Sequence, residues 1–193
     1  MRLCVYGAAS TTIDKIYIEA VEALGAQLVR RGHSLVFGGG GNGLMGAVAR
    51  GVHSEDGEIL GVIPRFFEKE QVEVISADCD ELVFTETMRE RKQIMEDNAD
   101  GFIVTPGGIG TFEEFFEILT LKQLCRHEKP IAVYNVNGYY DEMIQFLYKA
   151  IDQQFIRENC MNLFFVTDDV DALFRYLESP AEPKHSVKEL KDG

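Results

Sequence analysis

The sequence predicts an α/β fold, a Rossmann-like doubly wound parallel sheet in a single domain. Short apolar runs alternate six or seven times with longer segments that carry apolar residues at helical spacing. The short runs are apolar at successive positions, which is typical of strands buried on both faces of a sheet. The chain has 193 residues, a length that fits one domain. These observations predict one parallel sheet with helices on both sides.

Each predicted strand is a short run of aliphatic, aromatic or β-branched residues that ends at a glycine, a proline or a polar cluster. Gly7 follows the first such run, and Pro64 ends the third. The predicted strands are residues 2–6, 34–37, 59–63, 81–85, 101–105, 130–134 and 164–166.

The predicted helices have apolar residues three or four positions apart. In the first helix Leu24 and Leu28 keep this spacing, and Gly32 ends it, as glycine often does. The predicted helices are residues 13–31, 44–52, 88–98, 111–126, 140–154 and 169–178. We expect Thr167 or Asp168 to cap the last helix, because both side chains can accept a hydrogen bond from its first turn.

Two segments do not follow the alternation. Residues 65–80 have no clear period, and we expect an irregular loop with a short strand there. From residue 179 onward the chain has two prolines, little apolar content and charges that cancel. We therefore expect residues 1–178 to form the folded domain and residues 179–193 to form a mobile tail.

The charge balance excludes several classes of partner. Nineteen basic residues against 32 acidic ones give a net charge of −13. A protein that binds nucleic acid polymers or an anionic membrane surface needs a basic face, so we expect neither partner. A small anionic ligand stays possible, because one local cluster of donors can hold a phosphate inside an acidic protein.

Cysteine and histidine are scattered along the chain. Cys4, Cys79, Cys125 and Cys160 form no CxxC pair, and no cysteine or histidine has the spacing of a zinc site. We expect reduced thiols, a cytoplasmic protein and no metal site. No apolar run is long enough for a transmembrane helix, and no signal-peptide core is evident.

A first glycine-rich loop follows the second predicted strand. Residues 38–46 are GGGGNGLMG and contain a literal GxGxxG between a strand and a helix. Such a loop lets backbone N–H groups approach an anion at a helix N-terminus. A dinucleotide cofactor is disfavoured, because the next strand ends in Pro64 and Arg65 instead of an acidic residue. A tight turn that only packs the strand against the helix is the alternative.

A second glycine-rich loop follows the fifth predicted strand. Residues 105–114 are TPGGIGTFEE, and Thr111 can offer a phosphate both a backbone N–H and a hydroxyl. Glu113, Glu114 and Glu117 begin the next helix, where negative charge is favourable. These acids would repel a phosphate at the same loop, so a second interpretation is that one carboxylate faces the uncharged, hydroxylated part of a phosphorylated ligand.

A basic cluster lies on the helix before this loop. Arg89, Arg91 and Lys92 are close together in sequence. A solvated helix face explains such a cluster when it is taken alone. Its place just before the strand that leads into Pro106 suggests instead that it supplies positive charge to the same site.

Three of these motifs together resemble one family. They are the segment 38–46, then Met88 with Arg91 and Lys92, then the pattern PGGxGTxxE in residues 106–114. The chain resembles the LOG family, the cytokinin riboside 5'-monophosphate phosphoribohydrolases, which are often mislabelled as lysine decarboxylases. The resemblance runs over about residues 3–177, and the PGGxGTxxE pattern is its most specific part.

The resemblance implies a Rossmann-like homodimer whose residues 1–178 form a nucleotide-binding catalytic domain. It implies hydrolysis of the N-glycosidic bond of a nucleoside 5'-monophosphate, with adenine or a cytokinin-type base, giving the free base and ribose 5-phosphate. No metal and no organic cofactor are implied.

The resemblance also assigns residues. The family's catalytic arginine and glutamate fall on Arg91 and Glu114. Substrate contacts fall on the same two residues, on Lys92, on the run that ends at Glu114 and on Thr120. With the two glycine loops and the first turn added, the expected substrate-binding residues are Ser10, Gly39, Gly40, Gly43, Met45, Arg91, Lys92, Gly107, Gly108, Ile109, Gly110, Thr111, Phe112, Glu113, Glu114 and Thr120.

Two positions depart from the family pattern. A further family glutamate, which follows the third strand, cannot be placed, and Glu68 and Glu70 are both candidates. The early Gly-Ser-Ser turn of the family has alanines at its second and third positions here, so only Ser10 offers a hydroxyl.

The chemistry leaves the individual roles open. Glycosidic cleavage passes through an oxocarbenium-like sugar. Glu114 can stabilise that cation, hold the sugar hydroxyls or take a proton from water, and Arg91 can orient Glu114, bind phosphate or assist the departing base. We expect Glu114→Ala and Arg91→Ala each to remove most turnover while the protein stays folded.

Two other functions compete with this one. A pyridoxal-dependent decarboxylase needs a Schiff-base lysine in a cofactor pocket, and Lys92 is the only lysine in a motif. A non-enzymatic nucleotide or cofactor carrier needs the glycine loops but not the pair of Arg91 and Glu114. Because both residues are present, the enzyme is favoured.

Overall fold

The computed structural model of the protein describes residues 1–179, 186, 187 and 190. A parallel sheet of seven strands lies at its centre. The strands are β1 (Arg2–Tyr6), β2 (Ser34–Phe37), β3 (Ile59–Pro64), β4 (Glu81–Thr85), β5 (Gly101–Val104), β6 (Ile131–Tyr134) and β7 (Phe165–Thr167).

The strand order confirms the predicted doubly wound sheet. The order is β4-β3-β2-β1-β5-β6-β7, so the chain starts at the centre, moves outward to β4, returns to the centre and moves outward the other way. The order reverses between β1 and β5, which makes this pair the topological switch point. In such sheets the crevice at the carboxyl ends of the two switch-point strands is where ligands bind.

Helices cover both faces of the sheet, because each crossover between parallel strands places a helix on one face. The helices are α1 (Lys15–Arg30), α2 (Gly43–His53), α3 (Arg65–Lys69), α4 (Met88–Asp97), α5 (Ile109–Gln123), α6 (Asp141–Asp152) and α7 (Val170–Leu177), with 3-10 segments at Val136–Gly138 and Glu158–Leu163. One core cluster joins α1, α2 and α7 to one face of the sheet, and a second joins α4, α5 and α6 to the other.

The paired ends of β1 and β5 bring two loops together. Tyr6 lies beside Val104 in the register of the two strands. One residue later, the backbone N–H and the hydroxyl of Thr105 both donate to the Tyr6 carbonyl, each at 2.9 Å. The Ala8 N–H donates to the Pro106 carbonyl at 3.1 Å. The turn after β1 and the glycine loop after β5 are therefore fixed against each other.

The structure differs from the predicted elements in two places. Residues 65–80 contain the short helix α3, and the expected strand there is only an isolated antiparallel bridge between Gly40 and Ile75. The cap of α7 is Asp169, whose carboxylate accepts a hydrogen bond from Ala172 N–H at 3.0 Å. Thr167 instead belongs to β7, so the cap predicted at Thr167 or Asp168 was wrong.

The expected mobile tail lies mostly outside the described residues and stays a prediction. Leu190 is described and buried, and its carbonyl accepts hydrogen bonds from Gln123 Nε2 and Cys160 Sγ. In the described part of the chain, no helix is both long and apolar enough to span a bilayer.

Candidate active site

The candidate site lies at the carboxyl ends of β1, β2 and β5. The N-termini of α2 and α5 face the same crevice, because each follows a glycine loop that leaves one of these strands. Helix α4 lies on the α5 side of the sheet and contributes Arg91 and Lys92. The topology thus brings together the three motifs that are separate in the sequence.

The loop from Thr105 to Gly108 has all four of its carbonyls held by donors of the protein. The Thr105 carbonyl accepts from the hydroxyl of Tyr140 at 2.7 Å, and the Gly107 carbonyl accepts from the hydroxyl of Tyr139 at 2.6 Å. Backbone N–H groups, those of Ala8 and Phe112, bind the other two carbonyls. The loop therefore turns its carbonyls into the protein.

The next residues open helix α5 and offer N–H groups. The cap position is Gly108, which has no side chain to cap the helix, and the first N–H groups of a helix have no intrahelical acceptors. A Cβ at Gly108 or at Gly110 would meet no atom within 4 Å. Neither glycine has a positive φ, so neither the backbone nor internal packing requires glycine there. Space for a ligand beside the N–H groups explains both residues.

The other residues of this loop differ in exposure. Ile109 is 86% exposed at the first position of α5. Thr111 is buried, and a Cβ at Gly107 would lie 2.1 Å from its Oγ1. Gly107 is therefore required so that Thr111 can pack against the loop. Phe112 packs edge-on against Tyr140 and supports the loop from the other side.

The first glycine loop uses its amides within the protein. Leu44 and Met45 N–H both donate to the Ala8 carbonyl, and Gly41 N–H donates to the Val74 carbonyl. Met45 is buried in the core cluster of α1 and α2. Gly39 has a φ of +75°, which only glycine adopts readily. Gly41, Leu44 and Met45 thus have acceptors for their amides within the protein, and the anion-binding role of this loop stays a prediction.

Gly40 and Gly43 allow two close approaches. A Cβ at Gly40 would lie 2.2 Å from Glu73 Oε1, and one at Gly43 would lie 2.6 Å from the Ser10 carbonyl. Without a Cβ at these two positions, the Glu73 carboxylate can lie against Gly40, and the turn after β1 can lie against Gly43. The Ser10 hydroxyl is exposed and lies 3.1 Å from that of Thr12.

Arg91 is the buried cation of the site. Its side chain is 7% exposed, with Nε donating to the Val62 carbonyl at 3.0 Å and Nη2 donating to the Gly38 carbonyl at 2.9 Å. The guanidinium lies over the Phe67 ring, 5.4 Å from its centroid. Among the described residues Nη1 has no hydrogen-bond partner. The carbonyl ends of β2 and β3 thus fix the plane of the guanidinium.

Glu114 is the catalytic candidate whose carboxyl has a pKa near neutral. Burial raises its pKa from 4.5 to about 7. The charges of Arg91 and Lys92 lower this pKa, whereas Glu113 and Glu117 raise it further. The side chain keeps partial exposure at the crevice. Glu114 is therefore able both to accept and to release a proton at neutral pH.

Lys92 is held by two acids of α5. Its Nζ pairs with Glu113 and lies 2.5 Å from Glu117 Oε2. Burial acts to lower the pKa of Lys92, but the hydrogen bonds to these two acids outweigh burial and raise it. Lys92 and Glu113 thus form an ion cluster beside Glu114. Thr120 is exposed and lies roughly 16 Å along α5 from its first residue, at 1.5 Å per residue, so it does not lie at the loop in this chain, and its contact with substrate stays a prediction.

Sequence reasoning missed the Glu73 carboxylate. Glu68 and Glu70, the two candidates for the further glutamate, are exposed, whereas Glu73 is half-buried against Gly40. Burial raises the pKa of Glu73, and the charge of Arg91 lowers it. No local signal marks Glu73, because the alternation in residues 72–74 predicts buried valines, whereas Val72 and Val74 are exposed and Glu73 is half-buried.

Comparisons with known proteins identify relatives of this chain. A family model described as "Possible lysine decarboxylase" matches residues 45–177. The chain is 37% identical over 184 residues to the cytokinin riboside 5'-monophosphate phosphoribohydrolase LOG2 of Arabidopsis thaliana, and the match covers 95% of the chain and 85% of LOG2. It is 38% identical over 177 residues to the enzyme LOG of Oryza sativa subsp. japonica, which covers 92% of the chain and 72% of that enzyme.

Solved structures share the fold at lower identity. The molybdenum cofactor carrier protein of Chlamydomonas reinhardtii has a TM-score of 0.69 and 22% identity, over 92% of this chain and 98% of that one. The molybdenum cofactor binding protein of Rippkaea orientalis has a TM-score of 0.65 and 18% identity, over 90% and 91% of the two chains. At this identity the likeness extends to the fold alone.

Fold and site together define a Rossmann-like α/β protein with its candidate site at the switch point of a parallel sheet. Within that class, the family match and the identity over most of the chain determine the family. The chain belongs to the LOG family.

Proposed function

We propose that the protein hydrolyses the N-glycosidic bond of a nucleoside 5'-monophosphate whose base is adenine or a cytokinin-type adenine. The observation that carries this proposal is the meeting of three features in one crevice. The features are the open N-terminus of α5, the buried guanidinium of Arg91 and the Glu114 carboxyl with a pKa of about 7. The relatives named as phosphoribohydrolases support the same reaction.

The N-terminus of α5 binds the phosphate in this proposal. N–H groups of a helix start favour an anion, and the room beside Gly108 and Gly110 lets its oxygens approach them. In the first loop, Gly39, Gly40 and Gly43 allow the tight turn and the close contacts that form one wall of the site. Met45 packs in the core beneath that loop.

Glu114 acts on the sugar. As the bond between C1' and the base breaks, positive charge develops on the ribose, and an ionised carboxylate at its side stabilises that charge. The electron pair of the broken bond leaves with the base. A water oxygen forms the new bond to C1', Glu114 takes one proton of this water, and that proton passes on to the departing base, so that Glu114 is ionised again. The products are the free base and ribose 5-phosphate.

Arg91 and Glu73 complete the charge arrangement. The guanidinium of Arg91 is fixed by two backbone carbonyls, so it presents its delocalised positive charge to a ligand without further loss of side-chain entropy. The charge of Arg91 lowers the pKa of Glu114 and of Glu73. A carboxylate such as Glu73 beside the crevice is suited to accept hydrogen bonds from sugar hydroxyls.

The decarboxylase in the description of the family model fits the site poorly. A Schiff base requires a lysine amine that loses its proton, and Lys92 is paired with two carboxylates that raise its pKa. A cofactor carrier would use the glycine loops, but it does not require a catalytic pair such as Arg91 and Glu114.

The test is release of free base, by chromatography, from AMP and its isopentenyl derivative, with the matching nucleosides as controls. We expect base from the monophosphates only, and none from the Glu114→Gln variant. No release from any monophosphate, together with tight binding of a nucleotide in calorimetry, would replace the enzyme by a carrier.

The protein is proposed to act as a cytoplasmic homodimer on small nucleotides. Scattered cysteines without a CxxC pair support a reducing compartment, and the net charge of −13 argues against nucleic acid polymers and anionic membranes as partners. Phe146 and Phe155 are 66% and 79% exposed. Large apolar side chains exposed in this way are often buried against a second protein chain, which favours a dimer. Sedimentation equilibrium measures the mass, and a concentration-independent monomer would exclude the dimer.

A further inference from the structure

Two adjacent tyrosines bind the glycine loop, each through its hydroxyl. Tyr139 donates to the Gly107 carbonyl at 2.6 Å, and Tyr140 donates to the Thr105 carbonyl at 2.7 Å. Tyr140 is fully buried, whereas Tyr139 is 38% exposed. Both follow a 3-10 segment whose Asn135 side chain accepts from Tyr140 N–H at 2.7 Å. The pair therefore reaches the loop from a fixed turn.

The two hydrogen bonds constrain different peptide groups. Across a planar trans peptide the carbonyl and the following N–H point in opposite directions. Holding the Gly107 carbonyl toward Tyr139 therefore turns the Gly108 N–H to the opposite side. The Thr105 carbonyl precedes Pro106, which has no N–H, so Tyr140 orients no donor.

The Gly107–Gly108 peptide is one that can easily flip. Two successive glycines leave both adjoining torsions permissive, and Gly108 has open space around its Cβ position. A flip would turn the Gly107 carbonyl toward the anion and remove the Gly108 N–H from it. Only the Tyr139 hydroxyl holds the Gly107 carbonyl among the described hydrogen bonds.

We propose that Tyr139 is a positioning residue that locks the Gly107–Gly108 peptide with its N–H toward the phosphate. The identity of the phosphorylated ligand rests on the function proposed above, but the lock itself concerns any phosphate at this helix start. Edge-on contacts hold the Tyr139 ring, at 6.0 Å between centroids from Tyr17 and 5.0 Å from Tyr140. The ring is thereby placed without help from the hydroxyl.

The matched variants are Tyr139→Phe and Tyr140→Phe, which each remove one hydroxyl and keep the ring. Calorimetry with ribose 5-phosphate measures the phosphate site without turnover. We expect Tyr139→Phe to weaken binding about tenfold, the effect of one lost charge-assisted hydrogen bond, with little change in Tm. Tyr140→Phe loses a buried hydrogen bond, so it lowers Tm and leaves binding within about twofold.

Two further readouts distinguish a lock from general support. In Tyr139→Phe the KM for AMP rises while kcat falls less, because the lost interaction binds phosphate in the ground state and the transition state alike. The amide signal of Gly108 in labelled protein shifts on addition of inorganic phosphate, and this shift shrinks in Tyr139→Phe. Equal affinity of the two variants for ribose 5-phosphate, or an unchanged Gly108 shift, overturns the proposal. If no monophosphate is hydrolysed, the proposed function fails, whereas the calorimetry and the Gly108 signal still decide on Tyr139.

Discussion

Replacing Gly110 by alanine separates the two reasons for a glycine at the start of α5. Gly110 lies inside the helix, with no positive φ, and an added Cβ would meet no atom within 4 Å. For the free protein alanine is therefore the better residue, because glycine loses more backbone entropy on folding. For a ligand at the N–H groups of this turn, the methyl occupies the space that the ligand needs.

The two effects of Gly110→Ala have opposite signs. The variant gains about 0.5–1 kcal/mol of stability, which raises Tm by roughly 2–4 °C per kcal/mol in a domain of this size. At the same time kcat/KM for AMP falls about tenfold or more, since overpacking a filled site costs about 1–3 kcal/mol. Differential scanning calorimetry and base release measure the two effects on one preparation.

The matched control is Gly32→Ala. Gly32 also has open space at its Cβ position, but its φ is +78°, so alanine there costs about 1 kcal/mol of stability and leaves kcat/KM unchanged. If Gly110→Ala keeps kcat/KM within about twofold of the parent, no ligand occupies this turn, and the assignment of α5 as the phosphate site is refuted.

Three other substitutions test the charged groups. Glu114→Gln loses at least about 100-fold in kcat, as expected for a lost acid–base group. The pKa of Glu114 is raised from 4.5 to about 7 in the folded protein, so the parent protein loses stability as the pH rises between these values. Thermal melts over this pH range should show a smaller loss of stability in the variant. Arg91→Ala leaves the Val62 and Gly38 carbonyls without their donor, so urea unfolding should give a loss of about 2–4 kcal/mol besides lost turnover, and an unchanged midpoint would contradict the described bonds. Glu73→Gln should lower kcat/KM at least about tenfold while the exposed Glu70→Gln does not, and equal kinetics for the pair would remove Glu73 from the site.

Local signals made most of the fold predictable. Short apolar runs that end at a glycine, a proline or a polar cluster predicted β1 to β7 with small errors at their ends, because buried strands of a parallel sheet are apolar on both faces. The glycine motifs predicted two loops at one edge of the sheet, and the structure has both there, because in a doubly wound fold the loops after the strands share one edge. The misplaced cap of α7 lies where Thr167, Asp168 and Asp169 are successive candidates for the same cap.

Contacts between distant segments explain what the sequence analysis missed. The two glycine loops look equivalent as sequences, but the Ala8 carbonyl accepts the Leu44 and Met45 amides of the first loop, whereas the start of α5 has no cap. Nothing local to Arg91 indicates that two of its nitrogens bind carbonyls on other strands.

The sequence by itself determined the fold class, the family and the residue types of the candidate site, because periodicity and motif spacing are properties of the chain. Only the tertiary structure decided which donors and charges are free to act. The folded chain places Glu73 where the charge of Arg91 acts on its pKa, and it pairs Lys92 with two acids. It also places the hydroxyls of Tyr139 and Tyr140 where they donate to carbonyls of the glycine loop. The physical reason is that burial and hydrogen-bond partners, which set pKa and orientation, come from residues far apart in sequence.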